Sequence, residues 1–277
     1  MKMNKKLKMI MAGGVMLSGL AVAAEQPQGA GSAPFSPEQE DRIGELTRNY
    51  LLAHPDIIIE VEQKLQTMQQ KRQIKMITEA ALRYQESLLD NRETPSYGPA
   101  DARVAFIEFF DYQCSVCARQ AQVIEEVMKA NPKVRYIFKE WPIFAPRWPT
   151  SEVAAETGLQ LWQQKGMDAY LAYHNALYET GHDEGRLTQA DITKAASPAG
   201  KLKGKGDDML NVLSEIDGLA QNLGLRGTPG IIVMPVRGAT PENTTVIPGG
   251  ADQGTLQSAI DKASEAMDKS LPVNPQE

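Results

Sequence analysis

Ile43, Leu46, Tyr50 and Leu51 recur at helical spacing, and Ile58, Val61, Leu65 and Met68 do the same behind them, so the chain enters as amphipathic helix. Ser36-Pro37-Glu38-Gln39 supplies a start: a serine N-cap, a proline in the first turn, where its missing N–H is not needed, and a glutamine placed to reach back. Pro55 predicts a break. A further stripe, Ile74, Ile77, Ala81, Tyr84 and Leu88, is two residues out of phase with the first, whose continuation would place Arg72 and Lys75 on the seam. One uninterrupted coiled coil is therefore not expected.

The pattern changes at Thr94-Pro95-Ser96-Tyr97-Gly98-Pro99, a cluster of breakers that marks a boundary. Val104 to Phe110 is a compact apolar run interrupted by Glu108, and Val134 to Lys139 is another, with an amphipathic stretch, Ala118 to Ala130, between them. Strand, helix and strand at this spacing predict a βαβ unit and an α/β fold. Ser151 to Leu223 is helical in period, with loops at Gly181-His182-Asp183 and Ser197 to Gly206. It is too long for a simple crossover and reads as an inserted helical domain. Gly230 to Met234 and Thr244 to Ile247 then predict two strands, and Leu256, Ile260, Ala263 and Met267 a closing helix.

The chemistry concentrates where the first strand gives way to the first inner helix, at Glu108-Phe109-Phe110-Asp111-Tyr112-Gln113-Cys114-Ser115-Val116-Cys117. A thiolate at a helix N-terminus faces the positive end of the macrodipole and unpaired backbone N–H groups, both of which lower its pKa. Cys114 is thereby expected to be the nucleophile and Cys117, on the same helical face, the resolving thiol. A purely stabilising disulfide closing so short a loop is worth only about 2 kcal/mol. Zinc wants four ligands, and the three histidines stand at no usual spacing from the pair, so no metal and no cofactor are expected, although copper(I) between two thiolates remains chemically open. Glu108 is a half-buried carboxyl suited to shuttling the proton that Cys117 must lose; a solvent-facing strand residue is the alternative. Gly227-Thr228-Pro229-Gly230 precedes a strand expected beside the motif, and a proline there suggests a cis bond that presents the Thr228 backbone to an extended client.

Composition alters the picture at the N-terminus. Lys2, Lys5, Lys6 and Lys8 precede an apolar run from Met9 to Val22, and Ala21-Val22-Ala23 offers a small-residue cleavage site, the pattern of a cleaved signal peptide over residues 1–23. The run is interrupted by Gly13, Gly14, Ser18 and Gly19 and falls short of the roughly 20 residues that span a bilayer. The net charge of −6 becomes more negative once those four lysines are removed, which argues against nucleic-acid binding. Export would carry the protein to a compartment where disulfides persist, the periplasm.

The E-F-F-D-Y-Q-C-S-V-C stretch, the K-E-W-P segment at Lys139 to Pro142, the helical insertion and G-T-P before the last strands, taken in order, resemble the DsbA-type family of bacterial periplasmic thiol:disulfide oxidoreductases. Asn49-Tyr50-Leu51-Leu52-Ala53-His54-Pro55-Asp56 further resembles the N-terminal segment of the suppressor-of-copper-sensitivity C proteins. The resemblance implies a thioredoxin-like fold: a signal peptide at 1–23, a linker and helical oligomerisation stalk at 24–95, a catalytic domain at 96–270 with an insertion at 145–223, and a tail at 271–277. It implies a homo-oligomer, trimer before dimer, acting on exported proteins with cysteines and reset by a membrane redox partner. Ser115-Val116 stands where the family usually has Pro-His or Gly-Tyr, and without a histidine beside Cys117 the couple is expected to be more reducing. Thr228 is the residue that isomerases and reductases of this type carry before the proline. Isomerase or reductase is thus favoured over oxidase, with a copper(I)-handling chaperone as a further alternative.

Overall fold

The computed structural model describes residues 34–89, 93–204 and 209–268, with side chains to residue 265. The expected signal peptide, the tail at 271–277 and the Met267 side chain lie outside the described residues. The described residues divide into two compact units, one up to Glu60 and one from Val61 onward.

In the first unit, α1 (Pro37–Ala53) starts as the sequence predicts. Gln39 N–H donates to Ser36 Oγ at 3.3 Å, and Ser36 N–H donates to Gln39 Oε1 at 2.8 Å, so each residue satisfies the other's free group. No residue of α1 is buried, and Ile43, Leu46 and Tyr50 are exposed. Pro55 separates it from α2 (Asp56–Arg83).

The two-residue phase slip does not break α2, which runs as one helix of 28 residues. At about 100° per residue the slip turns the apolar stripe through roughly 200°, onto the opposite face. Ile58, Val61, Leu65 and Met68 are exposed, whereas Ile77 and Ala81, followed by Leu88 and Leu89 of α3 (Gln85–Leu89), are buried. The second stripe, although inside the stalk expected over 24–95, joins the catalytic core: its residues pack with Ile107, Phe109, Ile137 and Ile232 of the sheet.

That sheet contains β1 (Ser96–Tyr97), β2 (Val104–Phe110), β3 (Arg135–Glu140), β4 (Gly230–Pro235) and β5 (Thr245–Pro248) in the order β1-β3-β2-β4-β5. β2 and β3 are parallel, joined by α4 (Ser115–Ala130), and the other pairings are antiparallel. β1 lies inside the stretch expected to be a breaker boundary; two residues are too few for a period to register. Every residue of β2 and β4 is buried because both sheet faces are covered, which explains their unbroken apolar runs. One face carries α3, α8 (Leu210–Leu223) and the end of α2; the other carries α4 and α9 (Gln253–Asp268).

The insertion is helical, as expected: α5 (Thr150–Lys165), α6 (Met167–Glu179), α7 (Gln189–Ala196), a 3-10 turn at Ser197–Ala199, and α8. Gly158 lets α5 approach β3, since a Cβ there would come within 2.7 Å of Glu140 Oε1 and 3.3 Å of the Tyr170 ring. On the opposite sheet face Lys139 is 0% exposed and donates to Thr94 Oγ1 at 3.1 Å and to the Ser87 carbonyl at 3.3 Å, tying Thr94 and α3 to β3. Burial, assisted by Arg135, pulls its pKa down to about 8.

Candidate active site

The turn from β2 into α4 is held from inside by Asp111. Its Oδ1 accepts from Gln113 N–H at 2.8 Å; its Oδ2 accepts from Phe144 N–H at 2.9 Å and from Ser151 Oγ–H at 2.7 Å. Burial raises the Asp111 pKa, and these three donors oppose the rise. The turn delivers Cys114 to the N-cap of α4, where Cys117 N–H points at Cys114 Sγ at 3.4 Å. A sulfur in the N-cap position thus occupies the place where helices usually hold a serine or aspartate oxygen.

The two thiols are driven apart in acidity. Cys114 falls to about 6, chiefly through the hydrogen bond from the Cys117 thiol, opposed by burial and aided by the Thr228 side chain and the N–H groups of Cys117 and Val116. The sequence points to the helix terminus as the cause; in the structure its N–H groups assist, and the partner thiol leads. Cys117 is raised well above its ordinary value by burial first, then by its hydrogen bond to Cys114 and the charges of Cys114 and Glu108. Opposed shifts of this kind leave Cys114 the more readily ionised of the two sulfurs.

The Thr228–Pro229 peptide is cis, in agreement with the sequence reading, and β4 begins immediately after it beside β2. The Thr228 carbonyl lies 3.3 Å from Cys114 Sγ and accepts from the protonated thiol. This contact holds the proton on, so the fall in Cys114 pKa rests on the donors around it. Thr228 Oγ1 is buried without a conventional hydrogen-bond partner and is free to turn its O–H toward the sulfur once that sulfur is a thiolate. The Pro229 carbonyl accepts from Gly249 N–H at 2.8 Å, which ties the loop to the end of β5.

Glu108 is 3% exposed, more deeply buried than the half-buried carboxyl that the sequence predicts, and its place on β2 excludes the solvent-facing alternative. Burial raises its pKa to about 8, and the negative charge of Cys114 adds to the rise. Behind it is a cluster that sequence reasoning missed. Glu140 Oε1 accepts from Tyr112 OH at 3.0 Å and from Tyr170 OH at 2.9 Å, while Glu140 Oε2 has no hydrogen-bond partner. Burial raises the Glu140 pKa well above its ordinary value despite both tyrosines. His174 is buried with Nδ1 3.2 Å from Tyr112 OH, and burial lowers its pKa to about 3, so it is neutral. Phe110, Tyr112 and Tyr178 surround its ring. Only α6 brings these residues to the sheet, and no local pattern announces that.

Cys114, Cys117, Thr228 and Pro229 therefore converge, with Glu108 behind them. The remaining histidines and the tryptophans are placed otherwise. His54 stacks on Tyr50, His182 Nδ1 lies 3.0 Å from Asp191, and Trp141 is buried with its N–H donated to Asp217 at 2.8 Å. Trp162 packs against the core, whereas Trp148 lies against the loop at Gly185 near the motif. Among the described residues no group of three or more His, Cys, Asp or Glu is placed to hold a metal ion, and no helix is long and apolar enough to cross a membrane.

Residues 90–244 match the family model described as Thioredoxin, and residues 39–72 match that of the copper resistance protein ScsC N-terminal domain. Comparison with curated proteins yields no match. Among solved structures, BcfH of Salmonella enterica Typhimurium is 39% identical, aligned over 82% of this chain and 96% of that one, with a TM-score of 0.68. Proteus mirabilis ScsC in a transitional conformation is 26% identical over 83% of this chain and 100% of that one, with a TM-score of 0.58. A thioredoxin-like oxidoreductase from Silicibacter pomeroyi DSS-3 is 29% identical over 65% and 97%, with a TM-score of 0.53.

Proposed function

Because this chain belongs to the thioredoxin family, among the DsbA-type thiol:disulfide oxidoreductases close to ScsC, we propose that it is a periplasmic disulfide isomerase or reductase of exported proteins. In this reading Cys114 attacks, Cys117 resolves, Glu108 handles the proton, and Thr228 and Pro229 receive the client. The observation that carries the exchange chemistry is the opposed acidity of the two sulfurs at the mouth of α4, Cys114 lowered to about 6 and Cys117 raised; the direction rests on Ser115-Val116 and Thr228.

The Cys114 thiolate attacks one sulfur of a client disulfide; a Cys114–client bond forms, the client S–S bond breaks, and the released client thiolate takes up a proton. From that mixed disulfide two routes lead on. Attack by another client thiolate on the mixed disulfide returns Cys114 as thiolate and leaves the client rearranged with no net redox change, which is isomerisation. Attack by Cys117 instead forms the Cys114–Cys117 disulfide and releases the client with both its sulfurs reduced, a two-electron reduction whose oxidised enzyme a membrane redox partner must reset. Glu108 suits the second route because the Cys114 charge contributes to its raised pKa. That charge disappears in the mixed disulfide, so Glu108 releases its proton more readily and becomes a base for the Cys117 thiol.

Ser115-Val116 supports the reducing direction, since the Val116 side chain, unlike a histidine, adds neither charge nor a hydrogen-bond donor for a thiolate. The exposed stripes of α1 and the front of α2, together with the ScsC-type match over residues 39–72, support homo-oligomerisation through residues 36–68; the choice of a trimer follows the family resemblance. The four lysines and apolar run of residues 1–23 support export by a cleaved signal peptide.

The test is trapping. Cys117→Ser is expected to accumulate mixed disulfides through Cys114 with a scrambled client, and Cys114→Ser to abolish activity and trapping. Alkylation of Cys114 should rise with pH around a midpoint near 6. Absence of any Cys114 adduct in Cys117→Ser would remove the assignment. Copper(I) titration of the reduced protein beside the reductase assay separates the chaperone alternative: tight binding without turnover would favour it.

A further inference from the structure

The loop between α6 and α7 belongs to the insertion, yet it reaches the cysteine motif. Glu184 N–H donates to the Gln113 carbonyl at 2.9 Å, and Gly185 N–H donates to Gln113 Oε1 at 2.8 Å. The far side of the Gln113 amide is fixed as well, its Nε2 donating to Thr150 Oγ1 at 2.6 Å. Ser115, the residue that follows Cys114, donates its hydroxyl to Glu184 Oε1 at 2.6 Å. Charge-assisted hydrogen bonds are both shorter and stronger than neutral ones, and this one fits that description.

Glu184 makes these contacts in an unfavourable backbone conformation. Its φ of 48° is the one positive value on a non-glycine residue among the described residues. Side chains with a Cβ adopt that region at a cost, and a surrounding structure has to impose it. The imposition is visible at Gly185, φ 93°, where a Cβ would lie 2.6 Å from the Trp148 indole nitrogen. Glutamate therefore persists where glycine is easier, with its carboxylate on the dithiol motif. Arg186, the neighbouring cation, is committed to Asp183 through both its Nε and its terminal nitrogen. The groups facing Cys114 are then Cys117 from α4, Thr228 from the cis loop, Glu108 from β2 and, beside Ser115, Glu184 from the insertion.

We infer that Glu184 is a positioning residue of the thiol pair: its carboxylate takes the Ser115 hydroxyl away from Cys114 and fixes a negative charge at the first turn of α4, weakening the thiolate and tilting the couple toward the disulfide. A hydroxyl next to a nucleophilic sulfur would otherwise be available to donate to it. A couple whose thiolate is weakened gives up its electrons more readily, the direction that a reductase or isomerase requires. The inference rests on Cys114 being the attacking thiol and gives that reading a device by which the insertion sets the direction of exchange.

The experiment uses the full chain and two variants, Glu184→Gln, which keeps an acceptor for Ser115 but removes the charge, and Glu184→Gly, which removes both and relieves the positive φ. Ultraviolet thiolate absorbance against pH gives the Cys114 midpoint, and equilibration with glutathione gives the thiol-to-disulfide ratio. In Glu184→Gln the midpoint is expected to fall by about half a unit, as loss of one partly solvated charge nearby would produce, and the equilibrium to shift about threefold toward the dithiol; in Glu184→Gly, which also frees the Ser115 hydroxyl, both changes are larger. Glu184→Gly should also raise Tm. A merely structural role would move Tm alone; a midpoint and a ratio unchanged from wild type in Glu184→Gln would overturn the inference while leaving the exchange reaction intact. A wild-type protein that fails to equilibrate with glutathione would overturn the underlying reading, and the inference with it.

Discussion

Two stretches of one helix, α2, carry apolar stripes of the same period and meet opposite fates. Ile58, Val61, Leu65 and Met68 are exposed, whereas Ile77 and Ala81 join Ile107, Phe109 and Ile232 in the core. Hydrophobic period says that a face will be covered, not by what. The second stripe is covered by the sheet of its own chain. The first is exposed, which supports the proposed assembly of copies of this chain through the region matched at residues 39–72.

The contrast is sharpest in stability. Ile77→Ala removes buried methyl groups between α2 and the sheet and should cost about 3 kcal/mol in denaturant unfolding. A loss below about 1 kcal/mol would mean that the second stripe is no more committed than the first. Gly158→Ala comes next: its Cβ would crowd Glu140 Oε1 and the Tyr170 and Tyr173 rings, and overpacking of that kind costs roughly 1–3 kcal/mol by the same measurement. Leu65→Ala should change the unfolding of the monomeric catalytic unit by no more than about 0.5 kcal/mol, as exposed positions do. Its effect belongs to assembly instead. Leu65→Glu should reduce the particle mass in light scattering and leave the alkylation profile of Cys114 unaltered; a wild-type chain that is monomeric at micromolar concentration would break the comparison.

Much of the architecture was legible because local physics dictates it. Ser36 and Gln39 make the capping contacts that their order predicts, Pro55 interrupts the helices, and the apolar runs before and after α4 are the parallel strands at the centre of the sheet. The bounds slip by one to three residues where the backbone, not the side-chain pattern, ends an element: α4 begins at Ser115 rather than near Ala118, since Cys114 itself serves as the cap. The phase slip in α2 was visible, but its meaning was not. A change of phase looks the same whether a helix ends or merely turns its apolar side to another neighbour.

The sequence by itself determined the chemistry of the site: two cysteines three residues apart after an apolar strand, a carboxyl six residues ahead of them, and a threonine-proline pair before a later strand. Those are local spacings, and local spacing survives folding. Only the tertiary structure decided the environment that sets their acidity. Glu108 is drawn up to about 8 because both sheet faces are covered, and Glu140 shares its oxygen with Tyr112 and Tyr170 because α6 folds over β3. Glu184 reaches Ser115 across 69 positions of chain. Desolvation and long-range hydrogen bonds depend on which surfaces meet, and no period or motif in a linear sequence encodes that meeting.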